Sequence, residues 1–219
     1  MDPNAALTTT TLGFSPLAHP RETLPTGFVS LNHLIEGFPR GAISEIFGPE
    51  SSGRTTLIHS LLAAATANLE ICAYVDTDDS FDPVSAAASG VALSQLLWIR
   101  CGHNADHALK AVDYLVHAGG FGVVVLDLCQ VHPRIANRIP ISYWYRFRRA
   151  IENTPTILAL AEKQPTSKSC ASLILEVERK KTAWAGAPGF KLLREVELEA
   201  IPRKPVRPVT ATFTARATG

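Results

Sequence analysis

A chain of 219 residues, 46% hydrophobic and 19% charged, can bury one substantial core with a small appendage. That balance excludes an intrinsically disordered polymer. A formal net charge of +1 excludes a global pull toward nucleic acid, so any basic patch must be local.

Residues 1–25, rich in Thr, Pro and Ala without periodicity, are expected to form a flexible arm. A short helix is predicted over residues 29–36, between Thr26-Gly27 and Gly37-Phe38-Pro39. A strand over 42–47 then feeds a glycine-rich loop. The following helix, 54–68, is apolar at Leu57, Ile58, Leu61, Leu62 and Ala65. A buried strand over 71–76 runs into the acidic cluster Asp76, Asp78, Asp79 and Asp82. Residues 105–118 have helical spacing, with Leu109, Val112, Leu115 and Val116 on one stripe and Asn104 placed to cap them. A continuous apolar strand over 121–128 carries Asp127, and a helix over 141–153 and a strand over 156–161 follow. The alternation then stops: 172–180, 192–201 and 209–215 read as consecutive strands. This order predicts an α/β fold, a mostly parallel sheet flanked by helices with an antiparallel C-terminal extension. The core is placed at 26–201 and a basic strand or tail at 202–219.

Cys72, Cys101, Cys129 and Cys170 lie far apart with no C-x-x-C pair, which predicts free thiols in a reducing compartment. No signal peptide is visible and no apolar run approaches the length of a membrane span, so a cytoplasmic protein is expected. His103 and His107 have a metal-compatible spacing, but with Cys101 they lack a fourth ligand, and no metal site is expected there.

The stretch Gly48, Pro49, Glu50, Ser51, Ser52, Gly53, Arg54, Thr55, Thr56 has the spacing of a phosphate-binding loop. Such a loop wraps backbone N–H groups around a β-phosphate at a helix N-terminus, with a lysine on the β- and γ-phosphates and a hydroxyl on Mg²⁺. Here Arg54 stands in the lysine position, and Thr55 is the candidate Mg²⁺ hydroxyl. Asp127, ending an apolar strand, is placed to hold the Mg²⁺ water shell; Asp78, just past another strand, is placed to reach a water near a γ-phosphate.

The segment 26–82 resembles the core of the RecA recombinase family. Thr26-Gly27, Gly41, the block from Glu45 to Gly53, and Val75-Asp76 through Asp82-Pro83 stand nearly in register with its motifs. The resemblance thins but continues through the Asp127 strand to Gln164. It implies a P-loop core that binds ATP and Mg²⁺, with Asp82 at the base, Asp78 as the catalytic carboxylate and Gln164 as the γ-phosphate sensor. Three departures imply at most slow hydrolysis. Arg54 replaces a compact ammonium with a planar, longer guanidinium. Asp78 is one methylene shorter than the family's glutamate, and Ser85 stands where the family stacks an aromatic ring on adenine.

Family members bind DNA through two long loops; here the corresponding intervals, 129–140 and 164–171, are short. The family's N-terminal docking arm is not expected here either, so self-association is left open while a long filament and autonomous strand exchange are not expected. Residues 129–151 contain no acid, but hold Arg134, Arg138, Arg146, Arg148 and Arg149, the last three interleaved with Tyr143, Trp144, Tyr145 and Phe147. Trp144 and Phe147 have core spacing, leaving an arginine face for single-stranded DNA or a protein partner. The acid-free segment 202–219, with Arg203, Lys204, Arg207 and Arg216, has the same two uses. Truncated chains of this kind, with the run 154–160 followed by 168–173, are similar to the ImuA family of translesion-synthesis accessory factors. That resemblance implies polymerase subunits as partners and induction by DNA damage. Three readings stay open: an accessory factor of error-prone synthesis with weak or absent ATPase, a minimal single-stranded-DNA-dependent ATPase, and a scaffold without nucleotide.

Overall fold

The computed structural model of the chain describes residues 22–187 and 189–216. The expected arm falls mostly outside them, at residues 1–21, as do residues 217–219 of the expected tail. In chain order the elements are β1 (Thr23–Leu24), α1 (Val29–Ile35), β2 (Phe38–Pro39), β3 (Ala42–Phe47), α2 (Arg54–Ala67), β4 (Cys72–Asp76) and α3 (Pro83–Ala88). They continue with β5 (Leu96–Arg100), α4 (Ala105–Ala118), β6 (Val123–Asp127), α5 (Pro133–Ala136), α6 (Ile141–Ile151) and β7 (Ile157–Glu162). Last come β8 (Ala171–Ala185), β9 (Leu192–Lys204) and β10 (Ala211–Arg216).

Eight strands form one sheet in the order β10-β9-β8-β3-β7-β6-β4-β5. β3 pairs in parallel with both β7 and β8; β6 pairs in parallel with β7 and β4; β4 pairs in parallel with β5. Within this sheet, among the described residues, only β8–β9 and β9–β10 are antiparallel; β1 and β2 form a separate antiparallel pair. The central strands are buried on both faces, which is why they read as unbroken apolar runs. One face packs against α1 and α2 through Leu31, Leu57, Ile58 and Leu61; the other packs against α4 and α6 through Leu109, Val112, Trp144 and Phe147.

Five short elements, β1, β2, α3, β5 and α5, were not expected from the sequence. β5 lies at the sheet's edge, with Leu97 and Trp98 partly exposed, so its apolar alternation was weak. α3 and α5 are each begun by a proline after a capping side chain, Asp82 and His132. The β1–β2 pair buries Leu24, so ordered packing begins inside the segment expected to be an arm. β8 and β9 also run longer than expected. Past Ala183 and Glu195, beyond the reach of β10, they continue as a two-stranded ribbon with Trp184 and Leu192 exposed.

The ends of β3, β7, β6 and β4 lie together: Phe47 is registered with Glu162, Asp127 with Ala161, and Asp76 with Asp127. β3 and β4 are consecutive in the chain yet separated by β7 and β6, which opens a crevice at the carboxyl ends of the strands.

Candidate nucleotide site

The glycine-rich loop leaves β3 at Phe47 and enters α2 through Gly53, the N-cap, at φ +97°. No acidic side chain occupies the first turn, so the helix presents its free N–H groups to the loop. Two glycines are required by close approach. A Cβ on Gly48 would lie 2.2 Å from the Val177 carbonyl oxygen, and one on Gly53 would lie 2.3 Å from Leu198 Cδ1. The C-terminal strands thus form a wall over the loop. Between them is a cavity of about 210 Å³ lined by Ser51, Gly53, Thr55, Val196 and Leu198. Through Thr56 and Ala215 it meets a larger groove of about 640 Å³ along α2, lined by Phe28, Ser60, Ala63 and Ala64. That groove has the volume and the mixed lining of a small-ligand site.

Arg54 is buried at 6% exposure, and its Nη1 donates to the Glu162 carbonyl oxygen at 2.7 Å. The guanidinium is long enough to pass the loop and anchor the end of β7, where a lysine would end among the phosphates. Gly48 N donates to the same carbonyl at 3.3 Å. Pro49, Glu50, Ser51 and Thr55 are exposed, whereas the Ser52 hydroxyl is buried without a partner among the described residues.

The acidic side of the crevice is bonded internally. Asp127 accepts from Tyr74 Oη at 2.6 Å, Ser80 Oγ at 3.2 Å and Cys129 N at 2.8 Å. Burial, then the neighbouring Asp127 charge, push the Tyr74 phenol well above its ordinary pKa, so it stays a donor. Asp76 accepts from Ser80 N, Phe81 N and Trp98 Nε1, and so shapes the turn after β4. Asp78 Oδ1 lies 3.2 Å from His103 Nδ1, while its buried Oδ2 has no partner among the described residues. Asp82 caps α3, accepting from Val84 N and from Ser85 N and Oγ. It does not line the groove beside α2; from that neighbourhood Ser89 does. Asn104 caps α4 through His107 N, so His103 and His107 serve a turn and a helix start.

The turn from β7 to β8 rests on two buried carboxyls. Glu45 Oε1 accepts from Thr166 N at 2.9 Å and Ser167 N at 2.5 Å, and Glu162 Oε2 accepts from Thr166 Oγ1 at 2.8 Å. Burial, then the adjacent Glu45 charge, raise the Glu162 pKa well above the ordinary carboxylate range. Gln164, with Lys163, lines a small cavity beside Leu128, Val131 and Ala136. Lys163, unremarked in the sequence, is the residue that reaches the loop, with Nζ 3.1 Å from Glu50 Oε1. A lone cation one residue past an apolar strand beside the loop strand was the available signal.

The arginine face is divided. Trp144, Phe147 and Ile151 are fully buried, as their spacing predicted. Arg146 is not free: it pairs with Asp113 at 2.8 Å and lies over the Tyr143 ring at 4.7 Å. Arg148 is half-buried, whereas Arg134, Arg138, Arg149 and Tyr145 are exposed. In the C-terminal segment each basic residue singled out is held by the fold. Arg203 pairs with Glu176, Lys204 donates to Ser169 O, Arg207 to Leu34 O, and Arg216 to Glu195.

A parallel sheet with a glycine loop leading into a helix beside two strand-end carboxylates defines a P-loop protein. Residues 9–136 match the RecA N-terminal domain model, more than half of the chain, and the chain belongs to that family. It is 38% identical to Protein RecA of Borrelia duttonii (strain Ly) over 118 residues, 53% of this chain and 32% of that one. It is 41% identical to Protein RecA of Chloroflexus aurantiacus (strain ATCC 29364 / DSM 637 / Y-400-fl) over 108 residues, 48% of this chain and 30% of that one. The matched segment thus spans about a third of the length of these curated relatives. No helix among the described residues is long and apolar enough to cross a membrane.

Proposed function

We propose that this chain is a cytoplasmic DNA damage-tolerance factor of the RecA type that binds ATP with Mg²⁺ and turns it over slowly or not at all. Its role is that of an accessory to error-prone translesion synthesis, acting through polymerase subunits as protein partners. The observation that carries the nucleotide reading is the pairing of an intact backbone cradle, Gly48 to Thr56, with an Arg54 whose guanidinium is committed to the Glu162 carbonyl. The cradle and the free N–H groups of α2 supply binding. Thr55 and Asp127 are the residues that would hold Mg²⁺, which neutralises charge between the phosphates. Asp78, with one unpartnered oxygen, is the group that would orient a water. A transition-state cation at position 54 is what the site lacks, hence slow turnover.

The test is equilibrium binding of ATP and ADP with Mg²⁺, then phosphate release with and without single-stranded DNA, on the wild type and Arg54→Lys. Wild type is expected to bind at micromolar to millimolar nucleotide with little release. Arg54→Lys should tighten ATP by about tenfold, the scale of one charge-assisted hydrogen bond. Absence of binding in both proteins at millimolar nucleotide would leave only the scaffold.

Tyr74→Phe provides a second check. Losing the buried hydrogen bond to Asp127 should cost about 1–3 kcal/mol in thermal unfolding without nucleotide. With Asp127 Oδ2 freed of that donor, half-maximal ATP binding should need several-fold less Mg²⁺. An unchanged Mg²⁺ titration would remove Asp127 from the metal site.

The exposed set Arg134, Arg138, Arg149 and Tyr145 favours a second reading, contact with single-stranded DNA through phosphates and stacking. Replacing the three arginines by glutamine should lower DNA affinity and flatten its salt dependence by about two to three phosphate contacts. No change in either would assign this face to a protein partner.

A further inference from the structure

We propose that Lys163 supplies the cation for the terminal phosphate of a bound nucleoside triphosphate, in place of the loop residue Arg54. The assignment rests on the nucleotide-binding reading above and goes beyond it by naming the cation. A nucleotide cradle needs a mobile positive charge where the terminal phosphate sits. Among the described residues lining the loop cavity, Arg54 is the one cation, and its guanidinium is buried against the backbone of β7.

Lys163 satisfies the requirement from the other side of the loop. Its position follows from the sheet: β7 lies beside β3, Phe47 is registered with Glu162, and residue 163 therefore leaves the sheet next to Gly48. Two bonds hold the peptide that leads into Lys163: Gly48 N and Arg54 Nη1 both donate to the Glu162 carbonyl. The Lys163 side chain is partly buried and lines a small cavity with Gln164. Its ammonium rests on Glu50, a residue of the loop itself, and the two side chains are 30% and 70% exposed. An ion pair so open to water is weak, so a phosphate entering the loop can take the ammonium from the carboxylate with little cost. A compact ammonium on a four-carbon stem suits that exchange better than a planar fork. Glu50 thus holds the cation at the rim until nucleotide arrives. The consequence is discrimination, since a triphosphate offers Lys163 a charge that a diphosphate lacks.

Calorimetric titration with ATP and with ADP in Mg²⁺ buffer, on the wild type, Lys163→Gln, Lys163→Arg and Glu50→Gln, tests the assignment. Circular dichroism and thermal unfolding should show all four folded, because Glu50 is exposed and Lys163 partly so. Lys163→Gln is expected to weaken ATP by about tenfold or more and ADP by less than about threefold. Lys163→Arg should recover part of the ATP affinity, and Glu50→Gln should raise it, since the competing carboxylate charge is gone. Unchanged ATP affinity in Lys163→Gln, or equal losses for ATP and ADP, would overturn the assignment while leaving nucleotide binding intact. A wild type that binds neither nucleotide would instead overturn the nucleotide reading, and Lys163 with it.

Discussion

Gly48→Ala is expected to destabilise the protein by about 2–3 kcal/mol, the upper part of the range for overpacking a close-packed interior. For a chain of this size that corresponds to a fall in Tm of roughly 5–10 °C. The added Cβ would meet the Val177 carbonyl oxygen at 2.2 Å and Ser52 Oγ at 2.9 Å. The first obstacle is backbone, in a strand held on both sides by β3 and β9, so it cannot rotate away. Either β8 lifts from β3 or the loop deforms, and both disturb the cradle. Gly53→Ala meets a different obstacle: the Leu198 side chain can give, but φ +97° penalises any L residue. Leu198→Ala should therefore rescue Gly53→Ala only in part and Gly48→Ala not at all. Thermal unfolding of the four proteins decides it. A Gly48→Ala protein within about 0.5 kcal/mol of wild type would mean that β8 does not press on the loop.

The second large effect concerns Glu45 and Glu162 beneath the turn from β7 to β8. Replacing Glu45 with Leu would remove the acceptor for Ser167 N and the nearer acceptor for Thr166 N, at about 1–3 kcal/mol for each buried N–H left unpaired. The pair also sets a pH dependence. Glu162 has a raised pKa in the fold, so the native state keeps a proton that the unfolded chain has already released. Its contribution to stability is complete below the ordinary carboxylate range and is lost as pH climbs through the elevated native value. Glu162→Gln, which imitates the protonated form, should remove that part of the decline and unfold at a higher temperature than wild type at alkaline pH. Near pH 4 the two should unfold together. A wild-type profile parallel to that of Glu162→Gln across the whole range would show that Glu162 is ionised in the fold.

The elements legible in the sequence were those whose residues see one environment along their whole length. β6 and β7 are buried throughout and β3 as far as Ile46, and α4 keeps a stripe facing the sheet, so their patterns carried both type and position. β5 and α3 were not legible because an edge strand and a six-residue helix have no continuous buried face. The site divides in the same way. The loop's spacing and the strand-end position of Asp127 are local facts, readable from neighbours in the chain. Which partner each charged side chain takes is not, because the partners are distant. Arg54 meets Glu162, Tyr74 meets Asp127, Lys163 meets Glu50, and Arg146 meets Asp113 only when the sheet has aligned them. The basic tail shows this most plainly: as a string it is acid-free, yet Arg203 and Arg216 find Glu176 and Glu195 across neighbouring strands.

By itself, then, the sequence determined the class of fold and the presence of a phosphate loop, because periodicity and glycine placement act over a few residues. Tertiary structure alone decided where each charge goes. It turned Arg54 inward, set Lys163 beside the loop, closed Val177 and Leu198 over the glycines, and buried Glu45 with Glu162. The physical reason is one of range: side-chain charge and close packing are settled by whichever groups folding brings within a few ångströms, and in a sheet whose strand order differs from chain order those groups are far apart in sequence.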